Sequence, residues 1–175
     1  MEDIIPMLQS EAQIPYHVHN GIDSPKVNAK DLDNLQVYRV STQFDKTTDT
    51  ILATVTGLTA NVSSPASYAF ETVLFVNADA TGGSKYAISG TCLASAIIYE
   101  ILLFDDSTKA FTVTSRQITL GGNVGQAGTT AGLCLIKGLI TTSRQGTLTI
   151  QFAQTSAQGT SSVLVGSYFK VQQIS

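Results

Sequence analysis

His17 and His19 are the only histidines in the sequence, and they stand two residues apart between Pro15 and Pro25, in a segment with the character of an extended chain. Residues i and i+2 of a strand face the same way, so both imidazoles would point to one side. One chain then offers two nitrogen ligands, too few for a closed metal site. Three such strands meeting at a threefold axis would gather six imidazoles, an octahedral set suited to a divalent transition metal. Its affinity should fall as the imidazoles protonate near their usual pKa of about 6.5. The other reading needs no metal: the pair hydrogen-bonds backbone and nearby carboxylates, Asp23 among them, and holds a bend.

His19, Asp23 and Ser24 also carry the residue types of a nucleophilic triad. A triad needs a rigid platform and an oxyanion hole. These residues instead crowd into one short, proline-flanked stretch, and no G-x-S-x-G elbow occurs anywhere in the chain. Asn20-Gly21 is a strong turn dipeptide and Asp23-Ser24-Pro25 an Asx-type turn, so local structure accounts for them. Residues 120–132 are glycine-rich but lack the G-K-[ST] ending of a phosphate loop, do not match G-x-G-x-x-G, and precede a strand pattern. They read as a flexible surface loop, with contact to a receptor or neighbouring subunit as the functional alternative. Asn77, Asp79, Thr81 and Gly82 resemble the start of a calcium loop, but Ile88 stands where a bidentate glutamate should close it, so a hairpin turn suffices.

Glycoside hydrolysis would need an acid and a base from Glu71, Asp79, Glu100, Asp105 and Asp106, and no spacing singles out a pair. The aromatic residues fall on strand patterns, where packing is their usual role. Cys92 and Cys134 lie inside apolar runs and read as small buried hydrophobes, with a disulfide between them left open. The expectation is a protein without catalytic residues.

The elements that must position these residues follow from composition and pattern. The chain has 175 residues, 10 basic and 13 acidic, for a net charge of −3. That length suits one domain with an appendage, and the charge offers no basic surplus to follow nucleic acid or an anionic membrane. The most apolar stretch, residues 86–99, is interrupted by Ser, Gly and Thr, well short of the roughly 20 residues of a membrane span. Met1-Glu2-Asp3 lacks the basic start of a secretion signal. Residues 1–49 hold eight acids and four bases, while residues 50–175 hold five acids and six bases.

A boundary near Leu35 separates an arm, residues 1–35, from a β-sandwich domain, residues 36–175. The arm pattern allows short helical turns at residues 3–13 and 28–35 that would not stand alone. In the domain, Leu148, Ile150 and Phe152 alternate with Thr147, Thr149 and Gln151, the pattern of a half-buried strand. About nine strands are predicted, near 37–44, 50–58, 68–77, 85–95, 97–105, 110–119, 131–141, 146–154 and 162–174. Residues 78–83 and 105–109 have hairpin spacing. This pattern predicts an all-β sandwich, and a two-sheet jelly roll would protect its edges. Residues 68–76 and 163–174 are apolar on both faces, which fits strands covered by the core on one side and by a neighbouring subunit on the other.

Two stretches resemble small structural proteins of tailed bacteriophages, of the head decoration (cement), head fibre or tail fibre tip type. They are Tyr16 with the arm segment His17-Val18-His19-Asn20-Gly21-Ile22-Asp23-Ser24-Pro25, and residues 146–154 with 161–169. Residues 78–91 and 120–133 look similar too. The resemblance implies a homotrimeric jelly roll, similar in outline to the tumour-necrosis-factor and complement-head folds, displayed on a virion assembled in the host cytoplasm. It also implies that Tyr16, His17, His19, Asn20, Asp23, Ser24 and Pro25 belong to an arm that docks on the major capsid protein or another virion protein. Histidine pairs of this kind occur in trimeric phage fibres that bind iron along their axis. The sequence departs from long fibres in having no sizeable coiled coil or repeated shaft, which tells against a tail fibre. The leading expectation is therefore a capsid decoration protein, with a receptor-binding tip of a fibre or spike as the alternative.

Overall fold

Alternating apolar residues need a second layer to bury against, and here two sheets supply it to each other. The computed structural model describes residues 35–126 and 131–175. The chain divides into two units, Met1–Asp33 and Asn34–Ser175; the second carries all the described residues. They form twelve strands and no helix. The strands are β1 (Leu35–Arg39), β2 (Phe44–Thr47), β3 (Ala53–Val62), β4 (Ala66–Asn77), β5 (Ser84–Gly90) and β6 (Leu93–Asp105), then β7 (Ala110–Gln117), β8 (Asn123–Gln126), β9 (Ala131–Arg144), β10 (Gly146–Ala153), β11 (Thr160–Val163) and β12 (Tyr168–Gln173).

An eight-stranded sheet runs β1-β12-β4-β9-β6-β7, with β11 joining β4 to β2, and a four-stranded sheet runs β3-β10-β5-β8. Every strand pairing is antiparallel. The result is a β-sandwich. Leu148, Ile150 and Phe152 project from β10 into the core beside Tyr86 and Ile88 of β5, all fully buried. Opposite them, Phe70 of β4, Tyr99 of β6 and Phe169 of β12 form an aromatic cluster with ring centroids 6.2 and 6.4 Å apart. Burying each such side chain stabilises the fold by about 1.5–3 kcal/mol. Cys92 and Cys134 are both buried and unpaired, and burial pushes both thiols up. They fill space as small hydrophobes.

The strand boundaries depart from the sequence pattern in several places; the break expected between 95 and 97 falls at 91–92, and the strand expected at 50–58 runs from Ala53 to Val62. The run at 162–174 divides into β11 and β12 because Gly166, at φ +95°, turns the chain, with Ser167 N donating to Leu164 O at 3.3 Å. The run at 37–44 divides as well: β1 ends at Arg39, Val40 N donates to Ser167 O at 2.8 Å, and β2 pairs with β11 instead of following β12. Leu35 opens β1 rather than closing a helical turn. The glycine-rich stretch is not wholly a loop. Asn123–Gln126 forms β8, paired with Ser84–Ala87 of β5, because Val124 packs against the core and the buried Tyr99 donates from Oη to the carbonyls of Gly122 (2.8 Å) and Thr119 (3.2 Å).

Antiparallel register sorts the connections to two ends. Leu35 lies beside Gln172, Ala66 beside Thr142 and Leu93 beside Arg144, so the start of β1, residues 63–65, 91–92 and 118–122, and Ser175 share one end. Residues 40–43, 48–52, 78–83, 106–109, 154–159 and 164–167 occupy the other. Three of these opposite-end loops are tied together. Asp79 Oδ1 accepts from Gly82 N (2.7 Å) and Thr81 N (2.9 Å), the turn geometry that the calcium-loop pattern disguised. Ser161 Oγ accepts from Asp79 N and donates to Gly83 O, while the buried Gln154 accepts from Asp49 N and donates to Gln158 O.

Candidate interaction face

The outward residues of the large sheet are set by register. Lys170 of β12 stands beside Glu71 of β4, Glu71 beside Lys137 of β9, Lys137 beside Glu100 of β6, and Glu100 beside Arg116 of β7. The five make a row across five strands in which the sign alternates at each step. Lys137 Nζ is 3.4 Å from Glu71 Oε2, and Arg116 Nη2 is 3.2 Å from Glu100 Oε1. Lys170 has no carboxylate within ion-pair distance among the described residues; its ammonium lies 5.1 Å over the Tyr168 ring. Exposed pairs of this kind add at most about 1 kcal/mol each to stability.

Apolar rows flank the charges on both sides. Toward the Leu35 end run Ala69, Leu139 and Ile98, adjacent across β4, β9 and β6. Toward the loop end run Val73, Leu135 and Leu102, then Phe75, Leu133, Phe104 and Phe111, with the Phe104 and Phe111 rings edge to face at 5.5 Å. Phe75, Ile98, Phe111 and Leu139 are each between 43% and 51% exposed. Single exposed apolar residues are ordinary, whereas these are adjacent to one another across four strands. A groove of about 520 Å³ lies beside the charged row, with Leu35, Ala69, Ile98 and Leu139 along it. On the core side of the same strand as Leu139, a Cβ at Gly138 would stand 2.4 Å from Tyr99 Cβ and 2.7 Å from the Phe70 ring. No side chain fits there.

The carboxylates weighed for catalysis are otherwise engaged. Glu71 and Glu100 are ion-paired within the row. Asp105 accepts from Ser107 Oγ and from the Ser107 and Thr108 amides, and these donors hold it below the ordinary carboxylate range. Asp79 is lowered by the Gly82 and Thr81 amides. Asp106 pairs with Lys109 in the β6–β7 turn. No cluster of three or more potential metal ligands occurs among the described residues, and no helix there is long and apolar enough to cross a membrane.

The sequence-derived site residues Tyr16, His17, His19, Asn20, Asp23, Ser24 and Pro25 lie outside the described residues, as does the helical turn expected at 3–13. The charged row escaped sequence reasoning, which had weighed Glu71 and Glu100 only as acid and base. Its signal was present: Glu71 is the only charge in β4 and Lys170 the only one in β12, each inside a strongly apolar run. Only the strand pairing shows that these isolated charges are neighbours.

No family model and no curated protein matches the chain. Among solved structures it is similar to the Yersinia pseudotuberculosis-derived mitogen, at 17% identity over 58% of this chain and 84% of that one, with a TM-score of 0.33. It is also similar to a viral capsid protein, VP2 of infectious bursal disease virus, in its subviral particle. There the identity is 14% over 81% of this chain and 40% of that one, with a TM-score of 0.22. A structure of the Gx strain of infectious bursal disease virus gives 14% identity, the same coverage and a TM-score of 0.20. With TM-scores this far below 0.5, these likenesses carry no argument.

Proposed function

We propose that the chain is a non-enzymatic virion structural protein, a capsid decoration (cement) protein whose arm, residues 1–35, binds the head while its β domain packs as a homotrimer. The observation that carries this reading is the broad apolar outer face of the large sheet. A face of that kind, on a sheet already covered by the core on its other side, favours a protein that works assembled rather than alone. The phage-like arm and terminal segments supply the virion context. The partners are then other copies of the chain and the major capsid protein or another virion protein, with neither nucleic acid nor membrane required. The reading requires no cofactor; His17 and His19 would become ligands of a divalent transition metal only where three copies bring them together at a threefold axis.

We read the sandwich as a jelly roll, the architecture that the trimer reading calls for. With β2, β6, β7 and β11 set aside, the remaining strands pair first with last: β1 with β12, β3 with β10, β4 with β9 and β5 with β8. That is the pairing of one long hairpin rolled into two sheets, with β6–β7 inserted as an extra hairpin. The mechanism is binding: an arm that links neighbouring subunits raises effective concentration, so weak contacts add up across the lattice.

Light scattering on the full-length protein tests the assembly, with metal content read on the same sample. A mass of about 55 kDa, three times the chain mass of 18.5 kDa, supports the trimer, and one metal ion per three chains supports the histidine ligands. A form beginning at Val37 should remain trimeric and lose capsid binding; decoration by that form would sink the cement reading. The receptor-binding alternative draws on the loops near 78–84, 105–109 and 120–130, of which the first two lie at the end opposite Leu35 while residues 118–122 lie at the Leu35 end and 127–130 are outside the described residues. Binding of the isolated domain to host cells would favour it.

A further inference from the structure

Resting on the trimer reading, we propose that the groove on the outer face of the large sheet seats the acidic arm, residues 1–34, of a neighbouring copy. The groove has two unlike walls. Along one stand Leu35, Ala69, Leu139 and Ile98, with Gln172 between the first two, and the charged row makes the other. Past the apolar wall, toward the Leu35 end, the next row is hydroxylated: Ser67 Oγ and Thr141 Oγ1 are 3.2 Å apart, and Ser95 Oγ donates to Thr141 O. The apolar strip is therefore one residue wide and runs across β1, β12, β4, β9 and β6, a length of about 19 Å at the usual strand spacing. Charges cut it off from the apolar rows on the loop side. A strip of this shape suits a single chain segment, whereas the face of a folded partner covers about 800 Å².

Charge and chain length identify the segment. Residues 1–34 lie outside the described residues, but their sequence holds six acids, Glu2, Asp3, Glu11, Asp23, Asp31 and Asp33, against two bases, Lys26 and Lys30. The charged wall has the opposite excess, Lys170, Lys137 and Arg116 against Glu71 and Glu100. Apolar residues alternate with acids in Ile22-Asp23 and Asp31-Leu32-Asp33, so the segment has apolar side chains for one wall and carboxylates for the other. At about 3.3 Å per residue, an extended stretch of the arm is several times longer than the strip. It reaches a neighbour and leaves length over for the capsid protein. Arm and groove are different surfaces, so the contact runs head to tail and closes into a ring on repetition, as a threefold assembly requires.

Photochemical cross-linking of the full-length protein tests this. p-Benzoylphenylalanine in place of Ile98, or in place of Leu139 should the first variant misfold by circular dichroism, sets the reactive group on the strip. Irradiation should give products that run as two or three joined chains on a denaturing gel, with a peptide from residues 1–34 attached to the labelled strand. Attachment within a single chain, attachment to residues 35–175 of another copy, or no attachment overturns the proposal. Adding Lys137→Glu with Lys170→Glu leaves four acids and one base in the row, and like charges across a contact disfavour it, so the yield should fall at least about tenfold. An unchanged yield overturns the proposal as well. Light scattering before irradiation separates the two failures: a monomer removes the trimer reading itself, and a trimer without arm cross-links removes only this seat.

Discussion

The four-stranded sheet turns Thr54, Thr59 and Asn61 of β3, Thr147, Thr149 and Gln151 of β10, and Ser89 of β5 outward, aligned across the strands. The eight-stranded sheet turns Val73, Leu135, Leu102, Leu139 and Ile98 outward from the same core. Both inner faces are apolar, as a sandwich requires. The contrast lies entirely outside. Thr54 and Asn61 on the small sheet stay hydrated at no cost, although Thr149 beside them is buried, whereas the apolar rows on the large sheet are a standing cost of about 25 cal/mol per Å² of surface left in water. One sheet ends the molecule and the other is fit to continue it.

The contrast is broken most severely by moving charge onto each face in turn. Leu135→Asp with Leu139→Asp should abolish self-association, read as a fall in solution mass to that of one chain, while Thr59→Asp with Gln151→Asp should leave the mass unchanged. Equal effects would erase the distinction. Next in size is Gly138→Ala, which adds a Cβ between Tyr99 and Phe70. Overpacking of this kind costs about 1–3 kcal/mol, measurable by denaturant titration, and should leave the solution mass unchanged because the added Cβ points into the core.

A smaller pair of effects falls on the inner side of the large sheet. Thr72 Oγ1 on β4 is buried without a hydrogen-bond partner, the only such side-chain atom among the described residues. Thr142 Oγ1, equally buried on β9, donates to Ser63 O at 2.6 Å. Thr72→Val should stabilise by up to about 1 kcal/mol and Thr142→Val should destabilise by about 1 kcal/mol. Thermal melts that move the same way would contradict this.

The mildest test uses acid. Asp45, Asp49, Asp79 and Asp105 all sit at the loop-rich end and are all lowered: Asp45 by Ser162 and Gln43, Asp49 by Lys46 and the Ile51 amide, Asp79 and Asp105 by their turn donors. A depressed folded pKa contributes stability above the unfolded value, near pH 4, and that contribution is lost as pH falls through the folded value. Hydrogen exchange in loops 78–83 and 106–109 should therefore rise below about pH 4 before exchange in β9 and β10 does. Simultaneous loss would deny the loops a separate acid response.

The sandwich was legible because period-two alternation such as Leu148, Ile150, Phe152 encodes which side is buried, and the turns at 78–83 and 105–109 carry Asp and Gly where the backbone needs them. The splits at Gly166 and after Arg39 were not, since a strand and a strand interrupted by a one-glycine turn have nearly the same apolar pattern. β8 was hidden because glycine-rich composition says loop, while the hydrogen bonds from Tyr99 that fix residues 119–122 come from another strand. The candidate face was half legible. That residues 68–76 are apolar on both sides can be read from one strand, but the charged row exists only as a register among five, and single-strand periodicity holds no register.

The length of β9, 14 residues, has a consequence of scale. At about 3.3 Å per residue it spans roughly 45 Å, from the end where β1 begins to the end where loops 78–83 and 106–109 turn. A short peptide inserted at 106–109 would stand off by that height from whatever holds residue 35. The domain is in this sense a pillar of fixed height, whose cap can be exchanged without disturbing its foot.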